Sequence, residues 1–347
     1  MVFFQSNFIF FLSALLGLIS IFIYRFIIKN NLFTINSHNG PQKIHSKPTS
    51  RSGGGVIYFS LILYLLCSYY FNDFKEFLII VLSFLFIFII SLKEDIYKPT
   101  NPIIRLFLIF ISSSTYIVVS KTSFIFETKI INIFLNIEIF QIIFLILLIS
   151  TVVNGFNIFD GSNGHCSLIG IFYSIIILIL SYKIGLISLF YLLLPFILFL
   201  SIFLIFNYPR GLIFLGDTGA YLIGWITSIS VIYLLKNSNE ISEIVFLNIL
   251  FYPLMETIFS FLRKILSGVS PFKPDKKHLH LKTIFYLKKR GFKNFNSLNT
   301  IYLSGVWMFP VIFIPFIYSN KIYLIILLFF QLILYFVNYF LIKNDEI

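Results

Sequence analysis

Charged residues are scarce in this chain of 347 residues. Only 12% are Asp, Glu, Lys or Arg, whereas an ordinary soluble domain holds about a quarter. Apolar residues make up 59% of the chain, aromatic residues 20%, and the mean hydropathy is +0.96. A soluble fold of this length cannot bury so many apolar side chains, and the same composition excludes a disordered chain. The sequence therefore predicts a polytopic membrane protein.

Cysteine is also nearly absent, since only Cys67 and Cys166 occur and both lie in or beside apolar runs. This excludes a disulfide scaffold, because such isolated thiols behave as small hydrophobic side chains. The chain has no G-x-G-x-x-G or Walker sequence, no internal repeat and no linker. We therefore predict a single integral membrane domain over residues 1–347.

The apolar runs between polar breaks predict an all-α fold with about eleven membrane-spanning helices, since a span needs about 20 apolar residues. The segment 120–138, with apolar and β-branched residues in partial alternation, predicts a small extracytoplasmic β-hairpin. The spans are expected near residues 2–28, 54–71, 77–92, 102–119, 139–156, 165–183, 185–206, 217–235, 244–262, 298–318 and 321–342.

The Lys and Arg residues indicate the orientation of these spans. Most of them fall in loops on the side that holds residues 29–53, and few lie on the opposite side. Cytosolic loops carry the excess of Lys and Arg, so this side is predicted to be the cytosol. The net charge of +12 then follows from topology, and no nucleic-acid partner is expected. Residues such as Lys47, Arg51 and Lys288 are predicted to enforce topology or to contact anionic lipid.

Most polar residues suited to chemistry fall in five segments on this predicted cytosolic side. A transporter is expected to hold such residues near the middle of the membrane instead, at broken helices. The arrangement therefore predicts an active site at the cytosolic membrane surface. The segments are 38–55, 93–105, 154–165, 207–219 and 271–282.

Two of these segments favour a magnesium–diphosphate site. Asn154, Asn157 and Asp160 recur every three residues, which places them along one stripe of a helix end. Asp217 follows a glycine and opens a predicted span. Carboxylate and amide oxygens are the ligands that Mg²⁺ prefers, and Mg²⁺ recruits substrate phosphates. The alternative for each residue is a helix cap, where Asn and Asp are also favoured.

The sequence NGFNIFDGSNG resembles the N-x-x-N-x-x-D-G-x-x-G signature of the polyprenyl-phosphate N-acetylhexosamine-1-phosphate transferase superfamily. That superfamily includes the bacterial undecaprenyl-phosphate N-acetylglucosaminyl-1-phosphate transferases. The resemblance extends over about residues 38–290. It includes four further segments in the family's order: KIHSKPTSRSGG, KEDIYKPTNPIIRL, NYPRGLIFLGDTGAYLIG and SPFKPDKKHLHL.

The resemblance implies transfer of a sugar-1-phosphate, expected to be N-acetylhexosamine-1-phosphate, from a UDP-sugar to undecaprenyl phosphate. The products would be UMP and undecaprenyl-diphospho-sugar, and the reaction would initiate a cell-surface polysaccharide such as lipopolysaccharide. It implies Mg²⁺ as the cofactor, with Mn²⁺ as a substitute. It also implies a multi-pass protein of the bacterial cytoplasmic membrane with its active site facing the cytosol, and it is consistent with a homodimer.

The same resemblance assigns roles to individual residues. Asp217 and Asn157 are expected to bind the metal ion. Glu94, Asp95 and Asp160 are expected to be catalytic, the first two by orienting or deprotonating the lipid phosphate. The residues expected to bind substrate are Lys43, Lys98, Arg105, Asn154, Asn163, His278 and His280.

Two positions depart from the commonest family pattern, because Glu94 stands where Asp is usual and Asn163 replaces a second Asp. These departures bear on the sugar more than on the reaction. Glu256, inside an apolar span, is expected either to brace a Lys or Arg of the neighbouring site or to fix helix packing. His165 is expected to be structural.

The alternative function is a non-catalytic or degenerate relative, or a transporter of a lipid-linked sugar. A degenerate relative would be expected to lose the Asp217 and Asn157 pair, which this chain retains. Transport is disfavoured because Glu256 is the only ionisable residue well inside a predicted span. The sequence therefore favours the transferase.

Overall fold

The structure, a computed structural model, describes residues 2–35, 49–68, 74–97, 100–122 and 137–342. These residues are mostly helical, which confirms the all-α prediction. Two short strands, β1 (Thr34–Ile35) and β2 (Thr49–Ser50), pair in antiparallel register. The predicted hairpin lies almost wholly outside the described residues and stays a prediction.

The described helices, in chain order, connect through short loops. They are α1 (Val2–Lys29), α2 (Gly53–Cys67), α3 (Phe74–Ser83), α4 (Leu85–Ile96), α5 (Pro102–Val119), α6 (Glu138–Phe159), α7 (His165–Lys183), α8 (Phe190–Asn207), α9 (Gly216–Asn237), α10 (Ile244–Ile249), α11 (Phe251–Leu266), α12 (Leu279–Lys289), α13 (Phe295–Val311), α14 (Ile314–Ile317) and α15 (Lys321–Leu341).

Eight helical segments in the described ranges are long and apolar enough to cross a membrane. The pair α3 and α4, bent by 44°, makes up to nine. This supports a polytopic membrane protein, while the count of eleven spans stays a prediction. The expected span 244–262 is divided between α10 and α11. Pro253 has no N–H to donate to the carbonyl of Ile249, so a continuous helix would lose a hydrogen bond there.

Helix α9 lies at the centre of the bundle. It packs against α2, α4, α6 and α7, and its side chains are buried from Gly216 to Leu235. Its hydroxyl groups are accommodated by local bonds, as when Thr227 donates to the carbonyl of Ile223 at 2.7 Å. The residue that opens this buried helix, Asp217, is thereby held at a fixed point on one face of the protein.

The start of α2 closely approaches the start of α9. The N–H groups of Gly53 and Gly54 donate to the carbonyls of Phe214 and Leu215, at 3.1 and 2.8 Å. A Cβ atom on Gly54 would lie 2.0 Å from the backbone nitrogen of Gly219. Only glycine fits between the two backbones, and this contact brings the residues that precede α2 next to Asp217.

We predict that Gly54→Ala lowers the free energy of unfolding by about 1–3 kcal/mol, because the methyl group must push two backbones apart. Gly55→Ala is the matched control, since its Cβ would meet only Leu92 Cδ1 at 3.6 Å, an ordinary contact. Thermal unfolding in detergent measures both variants. Equal melting temperatures for the two would contradict this account of the α2–α9 contact.

Candidate active site

Asp95, in the last turn of α4, closes the N-terminus of α9. Its Oδ1 accepts a hydrogen bond from the N–H of Asp217 at 2.8 Å, and its Oδ2 accepts one from the N–H of Thr218 at 2.9 Å. The first N–H groups of a helix lack intrahelical partners, and a carboxylate there is favourable. The side chain is fully buried, so Asp95 fixes the helix end that carries Asp217.

Asp217 lies between two arginine side chains. Its Oδ1 is 2.8 Å from Nη2 of Arg51, and its Oδ2 is 3.0 Å from Nη1 of Arg105. The same Arg105 nitrogen is 3.0 Å from Oε1 of Glu94, whose other oxygen accepts a hydrogen bond from Thr100 at 2.7 Å. Charges from α4, α5, α9 and the segment before α2 therefore meet in one place.

We name Arg51, Glu94, Asp95, Arg105 and Asp217 the arginine–carboxylate cluster. Its carboxylates are largely buried, while the two guanidinium groups keep partial contact with the surroundings. In such a partly desolvated network, removing one partner leaves an uncompensated charge, which costs more than the pair contributes. The arrangement can bind anions through the arginines and cations through the carboxylates.

Asp160 lies directly after α6 and is half-buried. Burial raises the pKa of Asp160 to about 7, while the charge of Arg51 opposes the rise and those of Asp217 and Asp95 add to it. These interactions place Asp160 beside the arginine–carboxylate cluster. Asn154 and Asn157 occupy the last two turns of α6, which packs against α9.

The two histidines of the segment 271–282 lie on another side of Asp160. The ring of His280 packs on Gly161, where an added Cβ would be 2.4 Å from Cδ2 of His280. Burial, followed by the neighbouring His278 and His165, lowers the pKa of His280 well below its usual value. The ring is therefore neutral at physiological pH, and its Nδ1 has no hydrogen-bond partner within the described part of the chain.

Glu256 contacts His278 across the helix–loop boundary. Its Oε2 is 3.3 Å from Nδ1 of His278, whose Nε2 is 3.7 Å from Oδ1 of Asp275. Asp275 in turn pairs with Arg263 at 2.9 Å. The expected bracing of a basic group is thus indirect: the buried carboxylate on α11 holds an imidazole, and a second carboxylate connects that imidazole to arginine.

Known proteins match this chain over the same residues. The profile of glycosyl transferase family 4 matches residues 77–235, a range that includes Glu94, Asp160 and Asp217. The chain belongs to glycosyl transferase family 4. A probable undecaprenyl-phosphate N-acetylglucosaminyl 1-phosphate transferase of Bacillus subtilis (strain 168) is 26% identical over 304 residues, or 84% of this chain and 81% of the relative.

Two further relatives of the family 4 chain match shorter stretches. Both are undecaprenyl-phosphate alpha-N-acetylglucosaminyl 1-phosphate transferases. The one from Thermotoga maritima is 30% identical over 139 residues, which is 40% of this chain and 41% of the relative. The one from Escherichia coli (strain K12) is 36% identical over 76 residues, which is 20% of each chain.

Other predicted site residues of the family 4 chain have different surroundings. The side chain of Asn163 donates to the carbonyl of Pro209 at 3.1 Å, and its backbone carbonyl accepts from Thr300 at 2.7 Å. In this arrangement Asn163 joins two loops, and its substrate-binding role stays a prediction. His165 is buried and bonds Ser304 at 2.9 Å, as a structural residue would. Lys43 and Lys98 lie outside the described residues.

Arg51 is the site residue that the sequence did not single out, because a basic residue before a span is explained by topology alone. Its signal is the run Ser52-Gly53-Gly54-Gly55 that follows it. Those glycines permit the close approach of α2 to α9, and the approach delivers Arg51 to Asp217. A basic residue directly before such a run therefore merits attention in this family.

We predict that Asp95→Ala lowers the free energy of unfolding by about 1–3 kcal/mol, because it leaves two buried N–H groups of α9 without acceptors. The adjacent Glu94→Ala is the matched control. It leaves Arg105 paired with Asp217 and is expected to destabilise less. Melting temperatures of the substrate-free variants in detergent make the comparison. A larger loss for Glu94→Ala would contradict the capping role of Asp95.

Proposed function

We propose that this protein transfers N-acetylhexosamine-1-phosphate from a UDP-sugar to undecaprenyl phosphate and releases UMP. We place the reaction at the cytosolic face of a bacterial cytoplasmic membrane, where it would initiate a surface polysaccharide such as lipopolysaccharide. The observation that carries the proposal is Asp217 held between Arg51 and Arg105 at the start of a buried helix. The names of the relatives support undecaprenyl phosphate as the acceptor.

The reaction exchanges one diphosphate bond for another. A phosphate oxygen of the acceptor forms a bond to the β-phosphorus of the UDP-sugar, and the bond between that phosphorus and the oxygen bridging to UMP breaks. The free-energy change is small because bonds of the same kind form and break. Catalysis of such a transfer depends on positioning and on neutralising phosphate charge.

Arg51 and Arg105 are suited to binding the phosphates. Guanidinium groups bind phosphate oxygens with paired, charge-assisted hydrogen bonds. Without substrate the two arginines are paired with Asp217. A diphosphate competes for them, so the arginines turn toward phosphate and the oxygens of Asp217 become available to a cation.

The donor set fits a magnesium ion. The described residues hold no group of three His, Cys, Asp or Glu side chains arranged for a metal. Mg²⁺ is usually bound by only one or two carboxylates, with water and substrate phosphates completing its shell. Asp217, Asn157 and Asp160 would hold it here. When bound, Mg²⁺ neutralises charge on the diphosphate.

Glu94 and the histidines take different parts of the substrates. Glu94, held by Thr100 and Arg105, orients the acceptor phosphate, which needs little help from a base because its second pKa is near 6. His278 and His280 lie by Asp160 and provide hydrogen bonds to the donor sugar or diphosphate. Asp95 keeps the N-terminus of α9 in place, and the homodimer stays a prediction.

We predict that the purified protein, with undecaprenyl phosphate and Mg²⁺, releases UMP from one member of a panel of UDP-sugars. UDP-N-acetylglucosamine is the first donor to test, because the relatives' names specify that sugar. EDTA abolishes the release and added Mg²⁺ restores it. Asp217→Asn lowers the rate by about a hundredfold or more, because it removes a group that stabilises the reacting charges.

Lys293→Ala is the control for charge removal, since Lys293 is an exposed cation in a loop on the same predicted face. Its rate is expected to equal that of the unmodified protein. If the folded protein releases no UMP from any donor with the lipid present, the proposed transfer is wrong.

A further inference from the structure

A groove opens between the end of α4 and the start of α5, beside the arginine–carboxylate cluster. Its volume is about 580 Å³, within the range of small-molecule sites. The residues around it include apolar side chains along one part and a cation with a hydroxyl group along another. They include Ile90, Lys93, Ile96, Tyr97, Thr100 and Ile104.

One end of the groove connects with the charged site. The hydroxyl of Thr100 donates to Glu94 at 2.7 Å, and Glu94 lies 3.0 Å from Arg105. Arg105 is also bound to Asp217. A phosphate bound by Arg105 would therefore lie next to the Thr100 end of the groove, and Lys93 adds an exposed positive charge to the groove wall.

The other walls of the groove belong to the membrane-facing surface. Ile104 is 49% exposed and lies on α5, which is long and apolar enough to cross the membrane. Ile103 and Phe107, on the same helix, are exposed as well. An apolar chain can thus pass from the hydrocarbon phase into the groove without crossing water.

We propose that this groove binds the first isoprene units of the acceptor lipid, with the lipid phosphate at Arg105. The inference rests on the proposed function and names where its lipid substrate binds. An apolar channel that ends at a cation matches a molecule with an apolar chain and an anionic head. The UDP-sugar has no apolar chain to fill the groove, so the two substrates approach Asp217 by different routes.

Ile104→Trp tests the groove by filling it. The Michaelis constant for undecaprenyl phosphate is expected to rise about tenfold or more, through lost apolar contact. The constant for the UDP-sugar should stay within about twofold, which also shows that the variant is folded. Ile103→Trp is the matched control, because Ile103 is the adjacent exposed residue and does not line the groove. Its constants should be those of the unmodified protein.

Equal constants for undecaprenyl phosphate in the Ile104→Trp and Ile103→Trp variants would overturn the proposal. An inactive unmodified protein would instead count against the proposed reaction. Photocrosslinking then tests the groove without turnover: p-benzoylphenylalanine at position 97 should capture radiolabelled undecaprenyl phosphate, and at position 103 it should not. Loss of the position-97 product with equimolar phosphatidylglycerol would show general lipid contact and would also overturn the proposal.

Discussion

The structure depends on the two ion pairs that hold Asp217 at the N-terminus of the buried helix α9. Arg51 and Arg105 reach this carboxylate from opposite ends of the preceding sequence. Each contact requires a close approach: Gly54 lets α2 touch α9, and Asp95 fixes the end of α9 against α4. Because a buried carboxylate without partners is costly, the packing of α2, α4 and α5 around α9 and the geometry of the site stabilise each other.

This dependence explains how the site divides its work. The carboxylates and arginines lie on one side of Asp160, and the neutral His280 packs beside Gly161 on another. In the proposed reaction the acceptor lipid enters from the α4–α5 groove and the donor from the histidine side. Their phosphates then meet at Asp217. An interfacial site is required because one substrate is a membrane lipid and the other is a soluble anion.

Much of the site could be predicted from the sequence, because its residues lie in short polar segments between apolar runs. Composition also predicted the helical membrane fold. The pairing within the site could not be predicted, since it depends on tertiary contacts: the glycines before α2 deliver Arg51, and Asp95 bonds to backbone amides 122 and 123 residues away. Likewise, Glu256 was recognisable as a costly buried charge, but its partner His278 comes from a loop. Apolar length alone also missed the division of α10 from α11 near Pro253.

The fate of the β-phosphorus tests the central claim most directly. A UDP-sugar labelled with ³²P at the β-phosphate is incubated with the protein, undecaprenyl phosphate and Mg²⁺, and the lipid and aqueous phases are separated. The account predicts that the label moves into the lipid while unlabelled UMP appears in water. Label recovered in aqueous UDP, with the sugar on the lipid, would show transfer of the sugar alone. That result would contradict a phosphoryl transfer organised around Asp217.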